Sequence, residues 1–356
     1  MKLKKIIAGA AILLALTTSI FAKAKKNDKN TGKLKVVTTI FPEYDWTREI
    51  LGDNINNVEL TLLLGNGVDL HSYQPSIQDI AKISTADIFI YVGGESDGWV
   101  EDALKNAKNK NMKVINLLET LGDKVKAEEV KEGMQAEEEE EHDHHHHDGE
   151  HHDDDDDDDH DHETEGHHHH HHDDEEEVEY DEHVWLSLRN AKILSAEIAS
   201  ALCEKDAVNA ASYKANLAAY TARLDALDAK YAAVVKAGSK NTILFGDRFP
   251  FRYLVDDYNL DYFAAFVGCS AETEASFETV IFLAKKVDEL GLNSVLKIES
   301  GDGKIARTIV ENTKNKNSKV LTMDSIQSTT QKQANAGTTY LSIMEGNLKV
   351  LEEALK

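Results

Sequence analysis

Short apolar runs rich in Val, Ile and Thr alternate with helical periodicity along the first third of the chain. The apolar runs predict strands at 34–40, 58–64, 87–92 and 113–117. Helix start and stop signals predict helices at 42–50, 76–84 and 99–107. Strands that alternate with helices at this spacing form a mostly parallel sheet with helices on both faces. Residues 33–120 are therefore predicted to form an N-terminal α/β lobe.

The same alternation returns in the last third of the chain. Predicted strands cover 242–245, 261–266, 294–299 and 319–322, and predicted helices cover 250–257, 277–290, 304–313 and 338–355. This pattern indicates a C-terminal α/β lobe at 240–356, again with a mostly parallel sheet.

Two helical patterns lie between the lobes. Apolar residues three and four positions apart predict a helix within 181–205 that returns the chain to the N-terminal lobe, followed by a longer helix at 206–237. At 1.5 Å per residue the longer helix measures about 45 Å, which is enough to run from one lobe to the other. The predicted fold class is therefore α/β, with two lobes of mostly parallel sheet joined by a single long helix.

The segment 137–182 departs from this pattern in composition. It contains 26 Asp or Glu and 15 His but no Lys or Arg. The whole chain has a net charge of −26 and 17 His. The sequence outside this segment is therefore neutral, and its only histidines are His71 and His183. A segment with so many like charges cannot bury enough apolar surface to offset the entropy cost of ordering its backbone. The composition therefore predicts a disordered, acidic, His-rich loop at 121–180. The neutral remainder lacks the basic surface of a nucleic-acid-binding protein.

The N-terminus has the parts of a cleaved secretory signal at 1–24. Three lysines precede an apolar run from Ile6 to Leu16, and small residues follow it. The alternative is a membrane anchor, but the run is shorter than the ~20 residues that a spanning helix needs. No Cys follows the run to accept a lipid, so we expect a periplasmic protein.

Cys203 and Cys269 are the only cysteines in the chain. In an oxidising compartment they either form one disulfide or remain two buried free thiols, because sequence alone does not establish the geometry of a disulfide.

Candidate metal ligands follow the predicted strands. Open α/β sheets bind ligands beyond the carboxyl ends of their strands. His71, Asp247 and Asp324 each follow a predicted strand, and His183 lies just before a predicted helix. Imidazole and carboxylate ligands suit Zn²⁺, and Mn²⁺ as carboxylates increase in number. A lone His is usually a structural residue, but two isolated His in an exported chain with a His-rich loop favour a metal site.

Three motifs resemble those of the metal-specific, zinc or manganese (cluster A-I) solute-binding proteins of ABC transporters. The sequence GVDLHSYQPS at 67–76 resembles the first family motif, G-x-D-P-H-x-Y-E-P. The sequence DEHVWL at 181–186 resembles the second, D-P-H-x-W-L-D-P, and Asp324 ahead of the helical stretch 340–348 resembles the last. An acidic, His-rich loop before the second motif is typical of zinc-type members. The resemblance extends over nearly the whole mature chain.

The resemblance implies one metal ion in a cleft between two lobes, bound by His71 and His183 from the N-terminal side and Asp324 from the C-terminal side. A third family ligand, His or Glu, is replaced here by Gly246 or Arg248, depending on the alignment. Neither residue binds a cation, because Gly has no side chain and the Arg side chain has no acceptor atom. Asp247 is the first replacement candidate and Glu299 the second, with a water or a His of the loop as further options. Arg248 is expected to orient Asp324 or Asp247 through an ion pair.

The expected function is the capture of Zn²⁺ in the periplasm and its delivery to an ABC permease in the inner membrane, by a monomer that is not an enzyme. Alternatives are a manganese importer component, a periplasmic metal buffer or chaperone without a permease, and a metalloenzyme. The enzyme alternative is weak, because the sequence lacks H-E-x-x-H. The His-rich loop is either a low-affinity collector of metal ions or a solubilising spacer.

Overall fold

A computed structural model describes residues 32–135, 179–270 and 274–356 of the protein. The predicted signal peptide and residues 136–178 of the acidic loop lie outside the described residues. The chain divides into two units, Met1–Lys33 and Leu34–Lys356. All helices and strands described below belong to the second unit.

The first sheet consists of four parallel strands in the order β2-β1-β3-β4. The strands are Leu34–Thr38 (β1), Val58–Leu62 (β2), Ile88–Tyr91 (β3) and Lys113–Asn116 (β4). The helices that connect and follow them are Phe41–Leu51 (α1), Ile77–Ser84 (α2), Val100–Lys105 (α3) and Leu117–Leu121 (α4). In the central strand β1, Val36 and Val37 are both buried, as expected for a parallel strand covered by helices on both faces.

Two long helices follow, Leu188–Lys205 (α5) and Ala210–Ala237 (α6). Ser187 begins α5 by accepting a hydrogen bond from the backbone N–H of Asn190, as Ser does at many helix N-termini. The 28 residues of α6 extend about 42 Å. The buried side chains of α6 are spaced three, four or seven positions apart and form one stripe, Tyr213, Tyr220, Leu224, Leu227 and Tyr231.

The second sheet also has four parallel strands, in the order β6-β5-β7-β8. The strands are Thr242–Arg248 (β5), Asp261–Phe266 (β6), Ser294–Ile298 (β7) and Lys319–Met323 (β8). The helices are Arg252–Tyr258 (α7), Phe277–Leu290 (α8), Lys304–Glu311 (α9), Gln331–Asn335 (α10) and Tyr340–Ala354 (α11). Two α/β lobes, each with a parallel sheet, and a long helix between them confirm the predicted fold class.

The helix α6 contacts both lobes. It packs against α1 beside the first sheet and against α11 beside the second. Near its C-terminal end, the hydroxyl of Tyr231 donates a hydrogen bond to the carbonyl of Met344 in α11 (2.6 Å). Among the helices of the three described ranges, none is long and apolar enough to cross a membrane.

The structure differs from the sequence prediction in three places. The strand β5 runs to Arg248 rather than Phe245, with a shift in its pairing with β6 between Phe245 and Arg248, so Asp247 lies inside the strand. Residues 121–135, predicted as part of the disordered loop, have defined contacts, because Lys126 donates its backbone N–H to Tyr253 Oη (3.0 Å) and Gln135 donates to the carbonyl of Ala265 (2.9 Å). The short helix α10 was not predicted.

Candidate metal centre

His71 lies in a short helical turn, Leu70–Ser72, in the loop that follows β2. The carboxylate of Asp69 accepts a hydrogen bond from the His71 backbone N–H (3.1 Å), the local bond by which Asp stabilises turns. Leu70 is buried beside it. These contacts fix the backbone of His71 and direct its side chain, which is 9% exposed, towards the interior.

His183 is positioned by the same local device. The carboxylate of Asp181 accepts a hydrogen bond from the His183 backbone N–H (2.8 Å), and the turn Val184–Leu186 follows directly. The His183 side chain is fully buried and lies beside the ring of Trp185, with a centroid distance of 5.2 Å. Both histidines therefore belong to an Asp-x-His sequence in which Asp holds the backbone two residues later.

The two imidazoles face each other through their Nε2 atoms, which lie 3.1 Å apart. The Nδ1 atom of His183 is 3.0 Å from Asp181 Oδ1. A carboxylate only accepts, so Nδ1 carries the hydrogen and the Nε2 lone pair is free. The Nδ1 atom of His71 is 2.8 Å from Ser96 Oγ and 3.5 Å from Glu182 Oε2, which favours the same tautomer. Two zinc-bound nitrogens at a tetrahedral angle lie about 3.3 Å apart, so these imidazoles are already spaced as ligands of one ion.

An acidic cavity of about 230 Å³ opens beside His71. Its lining has four glutamates, Glu95, Glu128, Glu179 and Glu182, and no Lys or Arg. Glu182 Oε1 accepts a hydrogen bond from the Ser96 backbone N–H (2.9 Å), whereas Glu182 Oε2 is buried and has no hydrogen-bond partner within the described ranges. Clefts lined by one sign of charge concentrate counter-ions, so this cavity favours a cation.

Gly94 permits the close approach of Glu182 to this turn. A Cβ at Gly94 would lie 2.4 Å from Glu182 Oε1, and its φ of +82° is one that other residues rarely adopt.

Burial shifts the titration of the groups in this cavity. Burial, with a smaller contribution from neighbouring His183, lowers the pKa of the His71 imidazole to about 3. Burial also raises the pKa values of Glu128 and Glu182. His71 is therefore neutral in the physiological range, which is the form that binds metal ions.

The predicted carboxylate ligands lie outside this histidine pair. Asp247 Oδ2 accepts from the Ile298 backbone N–H (3.2 Å), and Glu299 accepts from the backbone N–H and hydroxyl of Ser325. Asp324 Oδ1 accepts from the Ile326 backbone N–H (2.8 Å). Within the described residues, none of the three joins a group whose ligand atoms all lie within 4.8 Å of the two imidazoles. Their assignment as ligands stays a prediction.

The position of the family's third ligand is closed to a metal-binding side chain. A Cβ at Gly246 would lie 2.5 Å from Ala306 Cα, because α9 packs directly on β5 at this point. The Arg248 guanidinium pairs with Asp69 and donates to Gln327 Oε1 (3.2 Å). Arg248 thus orients the loop that carries His71, rather than Asp324 or Asp247 as the sequence suggested.

Sequence reasoning missed a third side chain at the site. Cys203 and Cys269 are both free thiols, and Cys269 joins His71 and His183 in a group whose ligand atoms lie within 4.8 Å of one another. Cys269 follows β6 at the carboxyl edge of the second sheet, so the rule that selected Asp247 could also have selected it. The sequence interpretation considered this residue only as a disulfide partner or a buried free thiol.

Known proteins resemble the chain over most of its length. The family model described as zinc-uptake complex component A, periplasmic (ZnuA), matches residues 36–354. The zinc-binding lipoprotein AdcA of Streptococcus pneumoniae is 31% identical over 344 residues, which cover 96% of this chain. This chain spans only 60% of the length of that relative. The high-affinity zinc uptake system protein ZnuA of Bacillus subtilis is 27% identical over 350 residues, which cover 98% of this chain and 96% of the relative.

Solved structures share the two-lobed architecture. The Zn(II)-bound ZnuA-like domain of Streptococcus pneumoniae AdcA has a TM-score of 0.64 and 25% identity, and the match covers 91% of this chain and 99% of that domain. A metal-dependent lipoprotein of Bacillus subtilis has a TM-score of 0.66 at 24% identity, with the same coverage of 91% and 99%. The predicted family resemblance and fold are thereby confirmed.

Proposed function

Because this chain belongs to the ZnuA family of periplasmic zinc-uptake components, we propose that it captures Zn²⁺ between His71 and His183 and delivers the ion to an ABC permease. The observation that carries this proposal is the 3.1 Å approach of the two Nε2 atoms. Each imidazole has its Nδ1 atom engaged by another group, which is the arrangement that orients metal-binding histidines in proteins.

The ligand chemistry favours zinc over manganese. Imidazole suits Zn²⁺, whereas Mn²⁺ is bound mainly by carboxylate, carbonyl and water oxygens. The two imidazoles belong to a group of potential ligands in the described part of the chain that includes no carboxylate, so Asp324, Asp247 and Glu299 would have to move towards them to coordinate the same ion. The manganese alternative depends on those carboxylates.

The proposed role is binding and transport without catalysis. The protein would act in the periplasm as a monomer and would release its ion to the permease. The glutamates that line the cavity, Glu95, Glu128, Glu179 and Glu182, would attract hydrated cations over the short range set by salt screening, ~8 Å at physiological ionic strength.

Replacing both histidines tests this proposal directly. The His71→Ala/His183→Ala variant is expected to lose one tight zinc per chain, measured by competition with a zinc-specific fluorescent chelator. A matched control is His167→Ala/His168→Ala, which makes the same change within the six consecutive His at 167–172. This control should keep the tight site. If the His71→Ala/His183→Ala variant still held one zinc as tightly as the parent, the proposed site would be refuted.

The acidic, His-rich segment 137–182 remains a predicted collector of metal ions. Its 15 His and 26 acidic residues would hold several ions weakly and raise their concentration near the cleft. Equal zinc uptake under zinc starvation with and without residues 137–177 would favour the alternative of a solubilising spacer.

A further inference from the structure

On the basis of the function proposed above, we propose that Cys269 is the third protein ligand of the His71–His183 site, which makes the site a His₂Cys zinc centre. Its Sγ atom and the two imidazoles form the only group of three potential ligands found in the described residues, with all ligand atoms within 4.8 Å of one another. A tetrahedral zinc with Zn–S near 2.3 Å and Zn–N near 2.0 Å needs an S–N separation of about 3.6 Å. Metal binding therefore requires the sulfur and the imidazole nitrogens to approach by about 1.2 Å at most.

The backbone before Cys269 is shaped for this approach. A Cβ at Gly268 would lie 3.1 Å from both Cε1 and Nδ1 of His183 and 3.0 Å from the carbonyl oxygen of Phe249. A side chain at position 268 would force these neighbours to shift by a few tenths of an ångström, so glycine favours the close approach of the loop after β6 to the imidazole. The Cys269 backbone N–H donates to Glu128 Oε1 (3.0 Å), which holds the loop against the segment that precedes the His-rich loop.

The thiol faces the same acidic cavity as His71. Glu182 also lines this cavity, and its Oε2 atom is buried with no hydrogen-bond partner among the described residues. A buried unpaired acceptor is costly, and a cation held by His71 and Cys269 would offset that cost electrostatically. The cavity therefore has both a donor set and a compensating charge for a divalent ion.

Cys269 also takes the place of a family ligand that this chain lacks. That ligand follows the first strand of the second lobe, where this chain has Gly246 packed on α9 and Arg248 paired with Asp69. Cys269 follows β6, which is the neighbour of β5 in the sheet. The replacement therefore comes from the same sheet edge, one strand away.

Coordination by Cys269 involves a proton. Burial raises the pKa of the free Cys269 thiol, and the neighbouring carboxylates Glu128, Asp181 and Glu182 raise it further. When the ion binds, the S–H bond breaks, the sulfur keeps the electron pair and donates it to the metal, and the proton passes to water. Thiolate with imidazole is a donor set that selects zinc rather than manganese.

Cobalt substitution tests this assignment in the full-length protein. The protein is titrated with Co²⁺ to saturation, and the near-ultraviolet sulfur-to-cobalt charge-transfer absorption is recorded. Cys203 and Cys269 are the only cysteines, so the His-rich loop adds no such band. We expect a band of one thiolate per chain that persists in the matched control Cys203→Ser and disappears in Cys269→Ser. Zinc affinity should fall at least about tenfold in Cys269→Ser, since even partners outside the ligand shell cost 10–100-fold.

The outcomes separate this assignment from the proposed function. Tight cobalt binding that depends on His71 and His183 but gives no sulfur band overturns the Cys269 ligand and leaves the proposed function standing. A sulfur-to-cobalt band that persists in Cys269→Ser also overturns the assignment of Cys269 as a ligand. Absence of any tight site that depends on the two histidines refutes both.

Discussion

Asp69 and Asp181 each hold the histidine that lies two residues later, and this shared contact sets the geometry of the site. Asp181 contacts its histidine twice, at the backbone N–H (2.8 Å) and at Nδ1 (3.0 Å). Asp69 contacts the backbone of His71 (3.1 Å) and leaves Nδ1 of that ring to Ser96. The orientation of the His183 ring should therefore depend more strongly on Asp181 than the orientation of the His71 ring depends on Asp69.

The Asp181→Asn substitution tests that dependence. Asn is nearly isosteric but uncharged, so the fold should persist while zinc affinity falls about 10–100-fold, as when other histidine-orienting carboxylates are removed. The measurement is chelator competition, with far-ultraviolet circular dichroism as the check on folding. The matched control Asp102→Asn, at a side chain 85% exposed on α3, should bind like the parent. Parental affinity in Asp181→Asn would show that the carboxylate does not orient the ligand.

Residue types and motifs were enough to predict the histidine pair. His71 and His183 were the only histidines outside the acidic segment, and the structure brings their Nε2 atoms together. The remaining ligands could not be predicted in the same way. In the structure the backbone N–H groups of Ile298 and Ile326 donate to Asp247 and Asp324, so each carboxylate has a second engagement that residue type and position after a strand do not reveal, and their coordination of the ion stays a prediction.

At the scale of elements, the contact between β5 and α9 decides what position 246 can hold. A Cβ there would lie 2.5 Å from Ala306 Cα and 2.7 Å from Ala306 N. Both atoms belong to the backbone of α9, so relief requires the helix to move. The sequence signal for this contact is a single glycine, and its meaning depends on a helix nearly sixty residues away.

The Gly246→Ala substitution should therefore destabilise the protein by about 1–3 kcal/mol, the usual cost of overpacking a core. The matched control is Gly346→Ala in α11, where a new Cβ would meet nothing within 4 Å. That control should stabilise the protein by about 0.5–1 kcal/mol, because Ala favours a helix over Gly. Urea unfolding of both metal-free variants measures the difference. Equal midpoints would contradict the packing of α9 on β5.

Element types along the chain were predictable because apolar periodicity directly reflects burial. The strand Asp261–Phe266 and the helix Phe277–Leu290 were predicted with the bounds that the structure has. The strand β5 was predicted too short, because the polar residues Asp247 and Arg248 interrupt its apolar run while their backbones still pair. Residues 121–135 were grouped with the acidic loop because of composition, although their order comes from tertiary contacts such as Lys126 to Tyr253.

At the scale of the whole molecule, stability should decrease as pH rises from acid to neutral. Glu43 in α1 is fully buried and accepts hydrogen bonds from the backbone N–H groups of Thr39 (2.8 Å) and Ile40 (3.3 Å). Burial, with the nearby charge of Asp97, raises its pKa to about 8. Between the ordinary glutamate pKa and about 8, the folded state keeps a proton that the unfolded state has lost. Stability therefore falls through this window, by up to about 1.4 kcal/mol per pH unit, and is level above it.

The Glu43→Gln variant isolates this contribution. Gln does not titrate, so the variant should lose less stability than the parent between pH 5 and pH 8. Asp45, another buried carboxyl with a raised pKa, contributes equally to both proteins and cancels in the difference. Urea unfolding of the metal-free proteins at the two pH values provides the comparison. Identical pH dependence in parent and variant would show that Glu43 ionises in the folded state as it does in the unfolded chain.

Anomalous diffraction at the zinc edge tests the claim that one zinc ion is held between the two histidines. In crystals of the zinc-loaded protein, we predict an ordered zinc at about 2.0–2.1 Å from the Nε2 atoms of both His71 and His183. An ordered zinc at another place in the chain, with these two imidazoles uncoordinated, would contradict the claim.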